Sequence, residues 1–461
     1  MHPISKTGSH RLKIREQRRH WFTLFVFFLA FSLPWFSPAL PATPLNIQEH
    51  QLPNGLKIIT LEDHKAPVVT FQIWYRVGSR NEITGKTGLA HLNEHMMFKG
   101  TSKYGKGEFS KIVAKNGGNE NAFTSQDYTG YFEIFSSDRL DLSLELESDR
   151  MVNLLVDPKE FLLERDVVKE ERRLRTEDDP VSSLVEELYA DAFKVHPYHN
   201  PVIGWMTDLD RLTREDLYQH YKRYYTPNNA IIVVVGDFDT QTLLKKIEAS
   251  FGKIPPGPPI PPVQIEEPEP QGEHLFYLKK EAQLPYVIYG YHATNYKDPD
   301  QYPLDLLANI LSSGKSSRLY QSLIYEKKLA LDAGGGYEAI QSDPELFYFY
   351  AEVQPGKAVE DVKKALDAEI EKIKQEPVSP TELEKAKNQV EAGFIFGQDS
   401  VFNRAMMIGR METTGAGYHY IEEYLPHIRS VTAEDIQRVA RKYFSEDGRT
   451  VGVLIPLPPK E

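Results

Sequence analysis

The sequence predicts a chain of two similar domains, each mixing helices with strands, and three observations predict it. The 461 residues exceed the size at which a single hydrophobic core stops growing. An acidic, proline-rich segment, opening Ile254-Pro255-Pro256-Gly257-Pro258-Pro259-Ile260-Pro261-Pro262 and running to Gly272, reads as an extended linker and leaves halves of similar length. The halves also repeat one another. Leu212-Thr213-Arg214-Glu215-Asp216-Leu217 leads through Tyr221-Lys222-Arg223-Tyr224-Tyr225 to an apolar run, Ile231 to Val235. Val431-Thr432-Ala433-Glu434-Asp435-Ile436 leads through Ala440-Arg441-Lys442-Tyr443-Phe444 to Val451–Ile455. Each is a capped helix followed by a strand at a matching place, which points to internal duplication. The chain therefore divides into an N-terminal segment (1–42), a first domain (43–253), a linker (254–273) and a second domain (274–461).

Composition narrows the function classes. Hydrophobic residues are 41% and charged residues 26%, ordinary for a globular protein. A net charge of -12 argues against nucleic acid as partner, since phosphate backbones are held by surplus Lys and Arg. There is no cysteine, so disulfides and thiolate ligation are excluded and any metal must be held by His, Asp or Glu.

The N-terminus has its own pattern. Lys6, Arg11, Lys13, Arg15, Arg18 and Arg19 form a basic run, an apolar stretch follows from Trp21 to Phe36, and then Ser37-Pro38-Ala39-Leu40-Pro41-Ala42. Basic, apolar, small is the layout of a secretory signal peptide. The apolar stretch carries Pro34 and is short beside the roughly 20 residues of a membrane span. The chain is expected to be exported, to a periplasm or outside the cell. Cleavage falls after Ala39 or Ala42; left uncleaved, the segment would anchor the chain to a membrane. Arg18-Arg19 fits a twin-arginine export signal poorly.

Along the first half, Ile47 to Arg80 reads as strands, with a Pro53-Asn54-Gly55 hairpin cue and an alternating run from Val68 to Val77. A helix is expected from near Thr87 through Phe98, a strand from Ala122 to Phe135, and a long helix from Pro158 to Thr176, ended at Asp178-Asp179-Pro180.

His91-Leu92-Asn93-Glu94-His95 carries the chemistry. Residues four apart share a helix face, so His91 and His95 present two imidazoles to one ion. A carboxylate usually completes a zinc site's protein ligands and leaves one position open. Glu94 falls on the same side but off the ligand pair, as suits a general base for an activated water attacking a carbonyl. The pattern alone also fits a surface helix with scattered His. The flanks Gly88-Leu89-Ala90 and Met96-Met97-Phe98 decide against that, because three ionisable groups on an apolar helix are costly unless paired or metal-bound.

The block Gly88-Leu89-Ala90-His91-Leu92-Asn93-Glu94-His95-Met96-Met97-Phe98-Lys99-Gly100-Thr101 resembles the inverted zinc motif of the pitrilysin/insulinase family, which includes mitochondrial processing peptidases. In that family the third ligand is a Glu on a helix patterned Glu-x-x-x-Val-x-x-Glu. Glu164-Arg165-Asp166-Val167-Val168-Lys169-Glu170-Glu171 matches, which implies one zinc ion per chain on His91, His95 and Glu171, with Glu170 as rival if the register slips. Glu164, two turns before Glu171, is similar to the family's acid behind the ligands. Read without the resemblance, these glutamates are a solvated helix face.

Asn119-Glu120-Asn121-Ala122-Phe123-Thr124 is similar to the family's edge strand beside the metal, where a peptide substrate adds as a further strand; Asn121, Ala122 and Thr124 are then its substrate contacts. The loop His196-Pro197-Tyr198-His199-Asn200-Pro201 also resembles a family loop, and its histidines are assigned no metal. The second half departs from the pattern. Where active members place an Arg and a Tyr that stabilise the developing oxyanion, this chain has Ile324 and Leu331. Either a related subunit, in a homodimer or heterodimer, supplies that pair, or Arg318, Tyr320 or Tyr325 substitutes. The resemblance implies an α+β fold, each domain an antiparallel-rich sheet with helices packed on one side. It implies an exported zinc metalloendopeptidase acting on peptides or unfolded segments, the alternative being a non-catalytic or partner-dependent subunit of a two-chain assembly. A zinc hydrolase of non-peptide substrates fits the Asn121 strand less well.

Overall fold

The computed structural model describes residues 45–458, so the expected signal segment lies outside the described residues. Among the described residues no helix is long and apolar enough to cross a membrane. The first half contributes strands β1 (Gln48–Gln51), β2 (Lys57–Glu62), β3 (Val68–Tyr75), β4 (Asn119–Thr124), β5 (Thr129–Ser136) and β6 (Ala230–Gly236). The second contributes β7 (His274–Glu281), β8 (Tyr286–His292), β9 (Ala330–Gly336), β10 (Leu346–Val353) and β11 (Arg449–Leu457). Six helices matter below: α1 (Leu89–Met96), α2 (Pro158–Arg172), α3 (Pro180–Ala192), α4 (Arg214–Tyr224), α5 (Val401–Thr414) and α6 (Ala433–Tyr443).

The strands form two sheets, ordered β1-β2-β6-β3-β5-β4 and β7-β11-β8-β10-β9. In each, one parallel pair (β2 with β6, β7 with β11) is followed by antiparallel neighbours to the far edge. With β1 set aside the two orders superpose element for element, as the repeated sequence pattern requires. The repeat rests on the same local chemistry in both halves. Thr213 caps α4 and Thr432 caps α6, each hydroxyl accepting from the amide of an Asp three residues on, whose carboxylate bonds back.

β6 shows why the first sheet sits in the middle of the molecule. All of Ala230–Gly236 is buried, and alternation sends its side chains both ways. Ala230, Ile232 and Val234 join the first half's own helices, including Leu92 and Met96 of α1 and Leu217 of α4. Ile231, Val233 and Val235 face Ala405, Ile408 and Met411 of α5, a helix of the second half. The loan is returned: α3 of the first half packs Leu184 and Leu188 on Ile288 and Leu454 of the second sheet. Each half thus packs helices on one side of its own sheet and covers the other side with a helix from its neighbour. A glycine makes the approach possible, because a Cβ on Gly409 of α5 would lie 2.1 Å from the Trp74 ring on β3.

Two expected elements differ in detail. The strand expected over Ala122–Phe135 is a hairpin, β4 and β5 paired with Thr124 opposite Thr129. The Ser125 hydroxyl accepts from the amides of Asp127 (3.1 Å) and Tyr128 (3.2 Å) and turns the chain without Gly or Pro. The helix expected over Pro158–Thr176 is regular to Arg172 and widens into a π turn over Arg173–Glu177. Between Phe251 and His274 there is neither helix nor strand, yet the segment is pinned. Glu267 accepts from the amides of Lys194, Val195 and His196 at 2.7, 3.0 and 2.8 Å.

Replacing Gly409 by Ala is expected to overpack the α5–Trp74 contact and cost about 1–3 kcal/mol, lowering the calorimetric Tm by several degrees. Because the helices are exchanged, the unfolding endotherm should stay a single transition in both proteins.

Candidate metal and peptide site

α1 begins at Gly88, whose positive φ of 87° and missing side chain give the helix no cap of its own. Glu82 supplies one from six residues away, accepting from the amides of Gly88 and Ala90 at 2.7 Å each. Burial pushes Glu82 up to about 8 against those two bonds. Asp208 fixes the preceding residue, taking the Thr87 amide and hydroxyl at 3.2 and 2.7 Å. The helix is then held at both faces, with Leu92 and Met96 in the core and His91, Glu94 and His95 towards a cleft.

α2 packs against α1 and brings Glu171 to the imidazoles. Glu171 Oε2 is 3.3 Å from His95 Nε2 and 3.8 Å from His91 Nε2. One donor atom from each of these three residues lies within 4.8 Å of the others. Donors about 2.0–2.2 Å from a tetrahedral zinc ion are about 3.3 Å apart; Glu171 stands at that distance from His95 and half an ångström further from His91, and the donor set is one that zinc takes. Burial, then the neighbouring His95 and Arg175, lower His91 to about 3, so its ring is neutral, the state a ligand needs. The second Glu171 oxygen is ion-paired with Arg175 at 2.9 Å. The neighbouring Glu170, its side chain 63% exposed, is paired with Arg173, and of the two glutamates it is Glu171 that stands beside the imidazoles.

Glu164 is buried behind the pair, with Oε1 3.7 Å from His95 Nδ1 and its other oxygen on Lys99. Burial pushes this carboxyl up, but the neighbouring His95 and Lys99 outweigh it and hold Glu164 below the usual range. Glu94 is raised by burial, opposed by the Thr124 hydroxyl, which donates to Glu94 Oε2 at 2.5 Å. Thr124, expected as a substrate contact, is thereby engaged with the carboxylate. Asn121 is exposed, its Oδ1 accepting from the Ala122 amide at 2.9 Å.

β4 is the outermost strand and pairs only with β5 among the described residues, leaving its other edge open. Ala122, Phe123 and Thr124 line a cleft of about 1270 Å³ together with His91, Glu94, His95 and Glu171. Leu163, Val167, Leu174 and Arg175 form a further wall that sequence reasoning missed. The visible signal was apolar residues at helical spacing among charges. Glu82 and Asp208 were missed as well, and no local pattern marks them.

Every residue lining the cleft lies between His91 and Ile203, so the second half contributes none. Ile324 packs partly against the core, and Leu331 is 46% exposed. Arg318 is bound by two 2.8 Å bonds to Glu382 and is not free to act elsewhere. The second half instead supports the cleft from behind. Asp127, in the β4–β5 turn, is buried; it accepts from the Tyr198 hydroxyl at 2.9 Å and from the Ser342 amide at 2.9 Å. Asp343 takes His196 Nε2 at 3.1 Å and is paired with Arg80.

Comparison with known proteins places the chain in a family. The family model described as Insulinase (Peptidase family M16) matches residues 57–205, and that described as Peptidase M16 inactive domain matches residues 211–390. A Helicobacter pylori protein named zinc protease PqqE is 35% identical over 409 residues, covering 88% of this chain and 92% of that one. The crystal structure of a protease from Helicobacter pylori superposes with a TM-score of 0.86 at 34% identity, covering 90% of this chain and all (100%) of that one. The periplasmic protease PqqL from Escherichia coli shares the fold, with a TM-score of 0.77 at 19% identity over 90% of this chain and 48% of that one. With matches over both halves and a relative at this identity along most of its length, the chain belongs to the insulinase family of peptidases, M16.

Proposed function

We propose that the protein is a zinc-dependent endopeptidase that cleaves peptides or unfolded segments admitted to the cleft. One observation carries this reading: His91, His95 and Glu171 converge within 4.8 Å while Glu94 stands beside them, held by Thr124. A single zinc ion on those three residues would supply Lewis acidity, making a water acidic and polarising a carbonyl. The rest is the work of the chain. The open edge of β4 pairs with an extended substrate backbone and presents its carbonyl to the cleft. Glu94 takes the proton from the attacking water and passes it to the leaving amine. The Thr124 hydroxyl fixes one Glu94 oxygen and leaves the other to the water. Glu164 holds His95 in orientation through Nδ1.

A second subunit is part of the reading. Ile324 and Leu331 offer no side chain to an oxyanion, the cleft is lined by the first half alone, and the PqqL chain is about twice the length matched here. We assign the missing Arg and Tyr to a related chain that pairs with this one, since a second copy would carry the same Ile324 and Leu331. Export through residues 1–42, to a periplasm or beyond, belongs to the same proposal and is supported by the basic, apolar and small-residue order of that segment. A non-catalytic assembly subunit is the competing reading, and the intact set of His91, Glu94, His95 and Glu171 favours catalysis over it.

For residues 43–461, with and without a candidate partner, zinc is expected at one per chain in the parent and in Glu94→Gln. Peptide cleavage should fall by about 10²–10⁴ in Glu94→Gln. Stoichiometric zinc without cleavage under any pairing would select the non-catalytic reading. Glu164→Ala should weaken zinc binding by about 10–100-fold in a chelator competition, with the fold intact by circular dichroism. Thr124→Val should lower kcat with little change in KM, and Thr124→Ser should restore it. A rise in KM alone would return Thr124 to substrate binding.

A further inference from the structure

Exposed apolar side chains scattered singly need no explanation, but a row of them inside a cleft does. Leu163, Val167 and Leu174 are 58%, 49% and 70% exposed, and all three line the cleft. Leu163 and Val167 lie one turn apart on α2, and Leu174 follows two turns later, where the helix widens. They are not needed for packing, since Phe161 and Val168, 2% and 0% exposed, already fill the core from the other face of α2. Along the same helix the row runs beside Glu164 and Glu171. The edge strand β4 lines the same cleft. The four-residue step from Leu163 to Val167 advances about 6 Å, close to the roughly 6.7 Å between same-side residues of an extended chain, and the seven-residue step on to Leu174 adds about 10 Å.

We infer that Leu163, Val167 and Leu174 determine specificity, seating the apolar side chains of an extended peptide whose backbone lies along β4. The cleft then selects segments rich in Leu, Ile, Val or Phe, the segments that folded proteins bury and unfolded ones expose, over polar ones. The inference rests on the reading of the cleft as a peptide site but concerns binding rather than cleavage.

Zinc-loaded Glu94→Gln protein separates the two. It is titrated into fluorescent extended peptides that carry Leu or Ser at alternate positions, and anisotropy is read. The Leu peptide should bind about tenfold or more tightly than the Ser peptide. Adding Leu163→Ser, Val167→Ser and Leu174→Ser should erase that preference by weakening the Leu peptide alone, with the Tm unchanged. Equal binding of the two peptides, no binding of either, or a preference that survives the three substitutions overturns the inference. So does a result in which the substitutions only dissociate a dimer in sedimentation, which would make the row a contact between copies. A preference that is present, in a parent that never cleaves, would leave this inference standing while the peptidase reading falls.

Discussion

The contact of α1 with α2 places five ionisable side chains, His91, Glu94, His95, Glu164 and Glu171, where water is scarce, and the site exists because each has an answer. His91 gives up its charge through burial. Glu164 is met by His95 and Lys99, and Glu171 by the imidazoles on one oxygen and Arg175 on the other. Glu94 takes the Thr124 hydroxyl. Without such partners each buried carboxylate would cost several kcal/mol, enough to unfold a protein of ordinary stability. The same constraint reaches back to the start of α1, whose free amides fall to Glu82 because Gly88 has no side chain to offer.

What could be read from the sequence was whatever is fixed locally. The spacing of His91 and His95 on an apolar helix is a statement about one turn of helix, and the Thr213 and Thr432 capping boxes are statements about four residues. Glu171 was different. On a helix with Glu164, Glu170, Arg172, Arg173 and Arg175 it looks like solvated charge, and only the family pattern singled it out. The structure separates these acids by burial: Glu164 is 5% exposed while Glu170 points to solvent. The β4–β5 turn escaped notice because a serine side chain makes it in place of Gly or Pro. Glu82 and the exchange of α3 and α5 escaped because they depend on which distant segments meet.

The second half carries no lining residue of the cleft, yet the cleft's shape depends on it. Its Ser342 amide donates to Asp127, its Asp343 amide donates to the Tyr198 hydroxyl, and its Asp343 carboxylate meets His196 and Arg80; these residues set the β4–β5 turn and the loop opposite. These groups are buried or half-buried, so loss of one partner strands another in a poorly solvated place. The duplicated half has thus exchanged chemistry for support.

The loan of α3 and α5 across the molecule bears on how such a chain arises. One half by itself would leave the apolar side chains of a whole sheet face, Ile231, Val233 and Val235 in the first half, open to water. An ancestral single-unit protein of this design would therefore live as a pair, each copy capping the other. Joining two copies through a segment such as 254–273 turns that encounter into an intramolecular one at millimolar effective concentration. One unit can then lose its metal ligands while the other keeps them, a division of labour closed to two identical chains read from one gene.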